Sequence, residues 1–250
     1  MEKKKHLWFV RITVLLLFVF QQFAARTGGF VADLFTYDRI DPYNIFAWVS
    51  VHHIVQMIIA LVAVAILAKA KNLDFGFRLG NVKVGLEHTL YFSIGVFIYV
   101  IVNNLIGYFV RGFYTPDFPL NITNVAGTLG FQLLLSGPVE EILFRALPIT
   151  LLVYAYGFKT GEPIKIFKLE ISRETIIAAV LFAIAHIGWE LNPFSITQFN
   201  IHQLVLSFVF GIFYGLAYQE SKSVLYPMIM HSISNVMIIG AWYLLSIFLG

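Results

Sequence analysis

Three sets of polar residues interrupt the apolar runs of this 250-residue chain at helical spacing. The first is Glu140-Glu141-x-x-x-Arg145, inside the stretch SGPVEEILFRALP at 136–148. The second is Phe182-x-x-x-His186 and the third is His231-x-x-x-Asn235. A charged group in lipid costs about 3 kcal/mol or more, so an ionisable residue there defaults to a functional reading. The chemistry on offer is that of a carboxylate base, imidazoles and a carboxamide gathered in an apolar surround.

Spacing sorts these groups. Glu141 and Arg145 are four residues apart, share a helix face and can pair, which would hold Glu141 ionised. Glu140 lies about 100° further round the helix and is not committed to that pair. Desolvation and the neighbouring arginine act on it in opposite senses, which leaves it usable as a general base. His231 and Asn235 project from one face and offer hydrogen bonds to a developing oxyanion. His186, from another helix, can share a water with Glu140.

Each set also has a plainer explanation. A structural ion pair accounts for Glu141 with Arg145 but leaves Glu140 without a reason. A lone intramembrane histidine is more often a hydrogen-bonded core residue, and a His–Asn pair can join helices. The joint pattern favours function over these readings. Glu140, His186 and His231 also make a zinc alternative with water in the fourth position. No HExxH helix is present and no outer carboxylate is evident for either histidine, so glutamate-activated water without a cofactor ranks above it.

The elements that position these groups follow from composition. Hydrophobic residues make up 59% and charged residues 12%, with a mean hydropathy of +0.80, which excludes an ordinary soluble domain. Apolar runs of about 20 residues match a bilayer core of about 30 Å. The fold class is therefore all-α, a multi-pass transmembrane helical bundle. Seven spans are expected, at 7–25, 44–68, 84–110, 122–156, 175–189, 199–219 and 224–248. Residues 1–121 form the first three, and 122–250 form a core of four, in one integral-membrane unit. The first run follows the basic MEKKKH start and is read as an uncleaved span.

With the N-terminus cytoplasmic, the inner segments hold Lys3, Lys4, Lys5, Lys69, Lys71, Arg78, Lys83, Lys159, Lys165, Lys168, Arg173 and Lys222. The outer segments hold only Arg26, Arg39 and Arg111, which fits the positive-inside rule. The fourth run contains Pro138 and Pro148, and a kink or break is expected at Pro138. The span ends put His186 nearer the outer side and His231 nearer the inner side. Convergence requires one of those helices to be tilted, shifted or differently bounded. Gly157 to Ser172 reads as a cytoplasmic linker, and Gly211-x-x-x-Gly215 as a close helix contact. His52, His53, His88 and His202 lie near span ends and read as interfacial, as do the tryptophans. Asn121-Ile-Thr matches a glycosylation acceptor, a weak signal by itself.

EExxxR, FxxxH and HxxxN in this order on successive membrane helices resemble the CAAX-protease and bacteriocin-processing membrane proteins, which include the Rce1-type prenyl-protein endopeptidases. The resemblance spans Ser136 to Asn235, about 100 of the 250 residues. Ala146 departs from a common glycine after the arginine, which bears on packing and removes no catalytic group. The resemblance implies an intramembrane endopeptidase acting on a peptide or lipidated protein. Positions matching Glu140 and His186 would activate a water, those matching His231 and Asn235 would form an oxyanion hole, and Glu141, Arg145 and Phe182 would shape the site. A prokaryotic plasma membrane is the expected location, the bilayer the expected surround, and no nucleic-acid partner is expected. The rival class is a non-catalytic immunity or scaffold protein of the same fold. A proton-coupled carrier ranks lower, because inverted repeats and paired broken helices are not evident.

Overall fold

Lipid offers no water to backbone N–H and C=O groups, so apolar runs of this length must satisfy them internally as helices. The computed structural model describes residues 2–111, 115–157, 162–166 and 169–249, with seven helices among them. These are α1 (Glu2–Ala32), α2 (Ala47–Lys71), α3 (Val82–Arg111), α4 (122–156), α5 (Arg173–Ile184), α6 (Ile201–Ser221) and α7 (Leu225–Leu249). Two antiparallel hairpins complete the order: β1 (Ile164–Ile166) with β2 (Leu169–Ile171), and β3 (Gly188–Leu191) with β4 (Phe194–Gln198). The protein is a multi-pass helical membrane protein.

Five helices, α1, α2, α3, α6 and α7, are uninterrupted, apolar and long enough to cross a bilayer. The expected fourth and fifth spans take other forms. α4 does not break at Pro138 but continues as one helix containing two π-helical segments, Gln132–Ser136 and Ile142–Ala146. Each segment ends two residues before a proline, Pro138 or Pro148. In π register a carbonyl accepts from five residues ahead, and proline has no N–H to give. Leu133 and Leu143 are the carbonyls left over, and other helices supply their donors. Ser232 Oγ of α7 donates to Leu133 O at 2.8 Å, and Gln21 Nε2 of α1 donates to Leu143 O at 3.0 Å. Gly137 makes the first bond reachable, since a Cβ there would stand 2.6 Å from Ser232 Oγ and 2.9 Å from the Met228 carbonyl. Replacing the buried Gln21 by leucine should strand the Leu143 carbonyl and lower stability by about 1–3 kcal/mol, read by thermal unfolding in detergent. An unchanged midpoint would show that this carbonyl needs no donor from α1.

α5 covers only 12 residues, about 18 Å of helix. The expected span at 175–189 is thereby corrected: the chain leaves the helix after Ile184 and turns into the β3–β4 hairpin. Its final bonds tighten, with His186 N–H donating to Ala183 O at 3.0 Å and Ile187 N–H to Ile184 O at 3.0 Å. His186 therefore stands just past the end of a short helix, against Phe182 and within electrostatic reach of Glu140, which removes the conflict in depth with His231. The linker after α4 carries the β1–β2 hairpin, in which Lys165 pairs with Glu170 at 2.8 Å. Lys159 and Lys168 lie outside the described residues.

The middle of α4 is the centre of the bundle. Glu141 to Ile149 are nine consecutive buried residues, enclosed by α1, α2, α5, α6 and α7. α3 packs outside, on α6 and α7, and only 11% of its most apolar window is buried, so most of its surface is left to lipid. The small residues of α6 act as expected: a Cβ on Gly215 would meet Thr175 Cγ2 at 2.7 Å, and one on Gly211 would meet Ala179 and the Arg145 guanidinium. Local capping fixes helix starts. Asp41 accepts the N–H groups of Ile45, Phe46 and Ala47 before α2, and Asn121 accepts that of Asn124 at α4. The α2–α3 and α6–α7 connections meet at one end, where Arg78 Nε donates to the Lys222 carbonyl.

Candidate active site

Glu140 and Glu141 sit between the two π segments of α4, pointing to different sides as the helical spacing requires. Glu141 is fully buried. Its Oε2 lies 3.2 Å from Arg145 Nε, and its Oε1 accepts from His231 Nδ1–H at 2.8 Å. The arginine contact falls off the N–H direction, so it is ionic without a hydrogen bond. Aromatic faces supply the remaining counterpart. Phe182 lies 4.0 Å and Tyr214 5.0 Å from the Arg145 guanidinium carbon. The expected pair is present and the arginine is entirely enclosed.

Glu140 is 18% exposed and has different neighbours. Its Oε1 accepts from Ser136 Oγ at 3.3 Å and meets His53 Nε2 at 3.2 Å. Its Oε2 faces His231 Nε2 at 3.8 Å. His231 thus lies between the two carboxylates, one ring nitrogen on each, with Tyr214 stacked on its face at 5.0 Å. Because Nδ1 donates to Glu141, Nε2 is the atom left for chemistry, and it donates only when the ring carries both protons. The sequence showed no outer carboxylate for either histidine; Glu141 is that group for His231, a correction to the expectation.

Phe182 on α5 and His186 just past its end join the cluster. The Phe182 ring meets His186 edge-on at 4.8 Å and His231 at 5.7 Å. His186 Nδ1–H donates to the Phe182 carbonyl at 2.9 Å, taking the acceptor that its own backbone N–H relinquished in the tightened last turn. Nε2 is left as a lone pair, and His186 is within electrostatic reach of Glu140. Asn235 lies beside the same site. Its Nδ2 donates to Gln132 Oε1 at 2.8 Å and to Ser136 Oγ at 3.0 Å. Both N–H groups of the carboxamide are occupied, and they hold Ser136 toward Glu140.

Residues 122–237 match the family model described as Rce1-like, type II CAAX prenyl endopeptidase Rce1-like. The chain carries a domain of this Rce1-like family. The family is one of peptidases, and the matched segment contains Glu140, Glu141, Arg145, Phe182, His186, His231 and Asn235. No curated protein and no solved structure matches the chain significantly.

The Rce1-like domain is not the whole of the site. His53, read from sequence as interfacial, is buried against Glu140, and Gln21 reaches the adjacent π segment from α1. Both lie before the matched residues. The available signal was polarity itself: Gln21 and His53 are polar groups within apolar spans, but nothing in their spacing pointed toward α4. Tyr214 was also missed, since it is one of 12 tyrosines and nothing in its spacing pointed toward Arg145 or His231. His52 stays beside Trp48 but also lies next to the cluster, its ring 5.3 Å from that of His53, whereas His88 bonds Glu220 at 2.8 Å and His202 bonds Tyr99 at 3.1 Å, both away from it. A groove of about 760 Å³ between α3, α6 and α7, lined by Phe92, Phe213 and Met230, also lies apart from it. Among the described residues, no three His, Asp or Glu side chains are arranged to hold a metal ion.

Proposed function

We propose that this peptidase-family protein hydrolyses a peptide bond of a membrane-associated or lipidated substrate inside the bilayer, using a water activated by Glu140 and His186. The observation that carries the reading is the division of labour between adjacent carboxylates. Glu141 is committed to Arg145 and His231, whereas Glu140 keeps Oε2 turned toward the Nε2 of His231. In the reaction, Glu140 Oε2 takes a proton as the water oxygen bonds to the scissile carbonyl carbon. The carbonyl π pair becomes an oxyanion, toward which His231 offers Nε2–H when its ring carries both protons. Collapse breaks the C–N bond, and the proton on Glu140 passes to the leaving amine. The products are a carboxylic acid and an amine, with one water consumed. Asn235 supports Ser136 in this scheme, or donates to the oxyanion after releasing one of its two present partners.

His186 holds the water through its Nε2 lone pair. His186→Ala should therefore lower kcat by about 100-fold while the protein still inserts. The assay is cleavage of an internally quenched, farnesylated peptide ending in Cys-aliphatic-aliphatic-X, in proteoliposomes, beside its unprenylated counterpart. Comparable turnover in His186→Ala would remove this histidine from water activation. Activity abolished by a chelator and restored by zinc would replace the proposed water activation by a metal-bound water. The reading puts the protein in a cell membrane with the N-terminus cytoplasmic, the orientation that the distribution of basic residues fits.

A further inference from the structure

His53 is the polar contact of Glu140 that α2 provides, and its geometry specifies a role. Nδ1–H donates to the Val49 carbonyl one turn back at 2.9 Å, and the edge of the ring meets Phe131 at 4.8 Å. Those two contacts set the ring, and they aim Nε2 at Glu140 Oε1, 3.2 Å away. A ring nitrogen whose partner already carries the proton has a lone pair, as does a carboxylate oxygen. Two lone pairs at 3.2 Å repel, so the contact holds only with one proton between them. Ser136 Oγ donates to the same oxygen. Oε1 is thereby held from two sides, and Oε2 is the oxygen that remains.

We infer that His53 is a positioning residue for Glu140: it shares one proton with Oε1 and so presents Oε2 to the water. The inference rests on the proposed reading of the site. The other chargeable groups around Glu140 are His52 on α2, His231 on α7, His186 just past the end of α5, Tyr214 on α6, and Glu141 with Arg145 on α4. Of these, His231 approaches Oε2. The hydrogen bonds to Oε1 come from His53 and Ser136. The consequence is that a helix outside the matched segment belongs to the site.

Two measurements test this. In protein labelled with 15N-histidine and placed in nanodiscs, Glu140→Gln should move the ring-nitrogen signals of His53, identified by their disappearance in His53→Gln. In the peptide assay, His53→Phe keeps the packing on Phe131 and should lower kcat by about 100-fold, since a displaced reacting group costs of that order, with KM within about threefold. His53→Gln can still donate to Oε1 and should restore kcat to within about tenfold of wild type. His53 signals unmoved by Glu140→Gln overturn the inference. So does wild-type kcat in His53→Phe when Glu140→Gln is inactive. If His53→Phe does not insert, the nitrogen signals decide the matter. An active Glu140→Gln protein would overturn the reading of the site itself.

Discussion

Glu140→Gln is expected to lower kcat on the quenched peptide by about 1,000-fold, while insertion and thermal midpoint stay near wild type. The carboxamide nearly matches the carboxylate in shape, and the local bonds can persist. Ser136 Oγ can donate to the amide oxygen, and neutral His53 Nε2 can accept from the amide nitrogen in place of sharing a proton. Neither change strands a buried group. What the amide cannot do is take a proton from water. The variant therefore separates chemistry from folding, and initial rates in proteoliposomes matched for inserted protein give the comparison. A kcat within about tenfold of wild type would remove Glu140 as the base.

The opposite combination is expected at Arg145. Arg145→Met should destabilise the fold by about 3–5 kcal/mol, the range for breaking a buried pair from one side. The guanidinium is fully enclosed, 3.2 Å from Glu141 and covered by Phe182 and Tyr214. Its loss leaves the buried Glu141 carboxylate with His231 as its near counterpart. Methionine can fill part of the volume but supplies no charge. Glu141→Gln with Arg145→Met should recover stability relative to Arg145→Met alone, because no unpaired charge remains. Activity should stay low in the double variant, since a neutral carboxamide at position 141 does not fix His231 as the carboxylate does. Unfolding titrations of wild type, the two single variants and the double variant form a complete cycle. A loss below about 1 kcal/mol in Arg145→Met would mean that the pair is hydrated or dispensable.

These two effects separate adjacent parts of one motif. Glu140→Gln removes a proton acceptor at a partly exposed position, whereas Arg145→Met removes a countercharge at a closed one. The same helix supports both because its π segments change which faces point inward over a few residues. The prolines create that register, and Ser232 and Gln21 make it tolerable in lipid by bonding the leftover carbonyls.

The sequence by itself determined what local periodicity can encode. Apolar length made the chain a helical membrane protein, and spacing of four put Glu141 with Arg145 on one helix face, leaving Glu140 to other partners. The ordered motifs pointed to the peptidase family that the domain belongs to. Only the tertiary structure decided which helices meet. In lipid, outward and inward faces are both apolar, so the hydrophobic pattern that orients a helix in a soluble protein is missing. α2 could therefore turn His53 to the surface or to Glu140 without any change in its apolar pattern. Likewise, spacing linked His231 to Asn235, but packing against α4 sent one to the two glutamates and the other to Gln132 and Ser136. At the end of α5 the Phe182 carbonyl accepts from the His186 imidazole, while the His186 backbone N–H bonds Ala183 instead, a pairing that spacing alone did not give. Residues on one helix are related by a fixed geometry, whereas residues on different helices are related only by packing, and here packing completed the site.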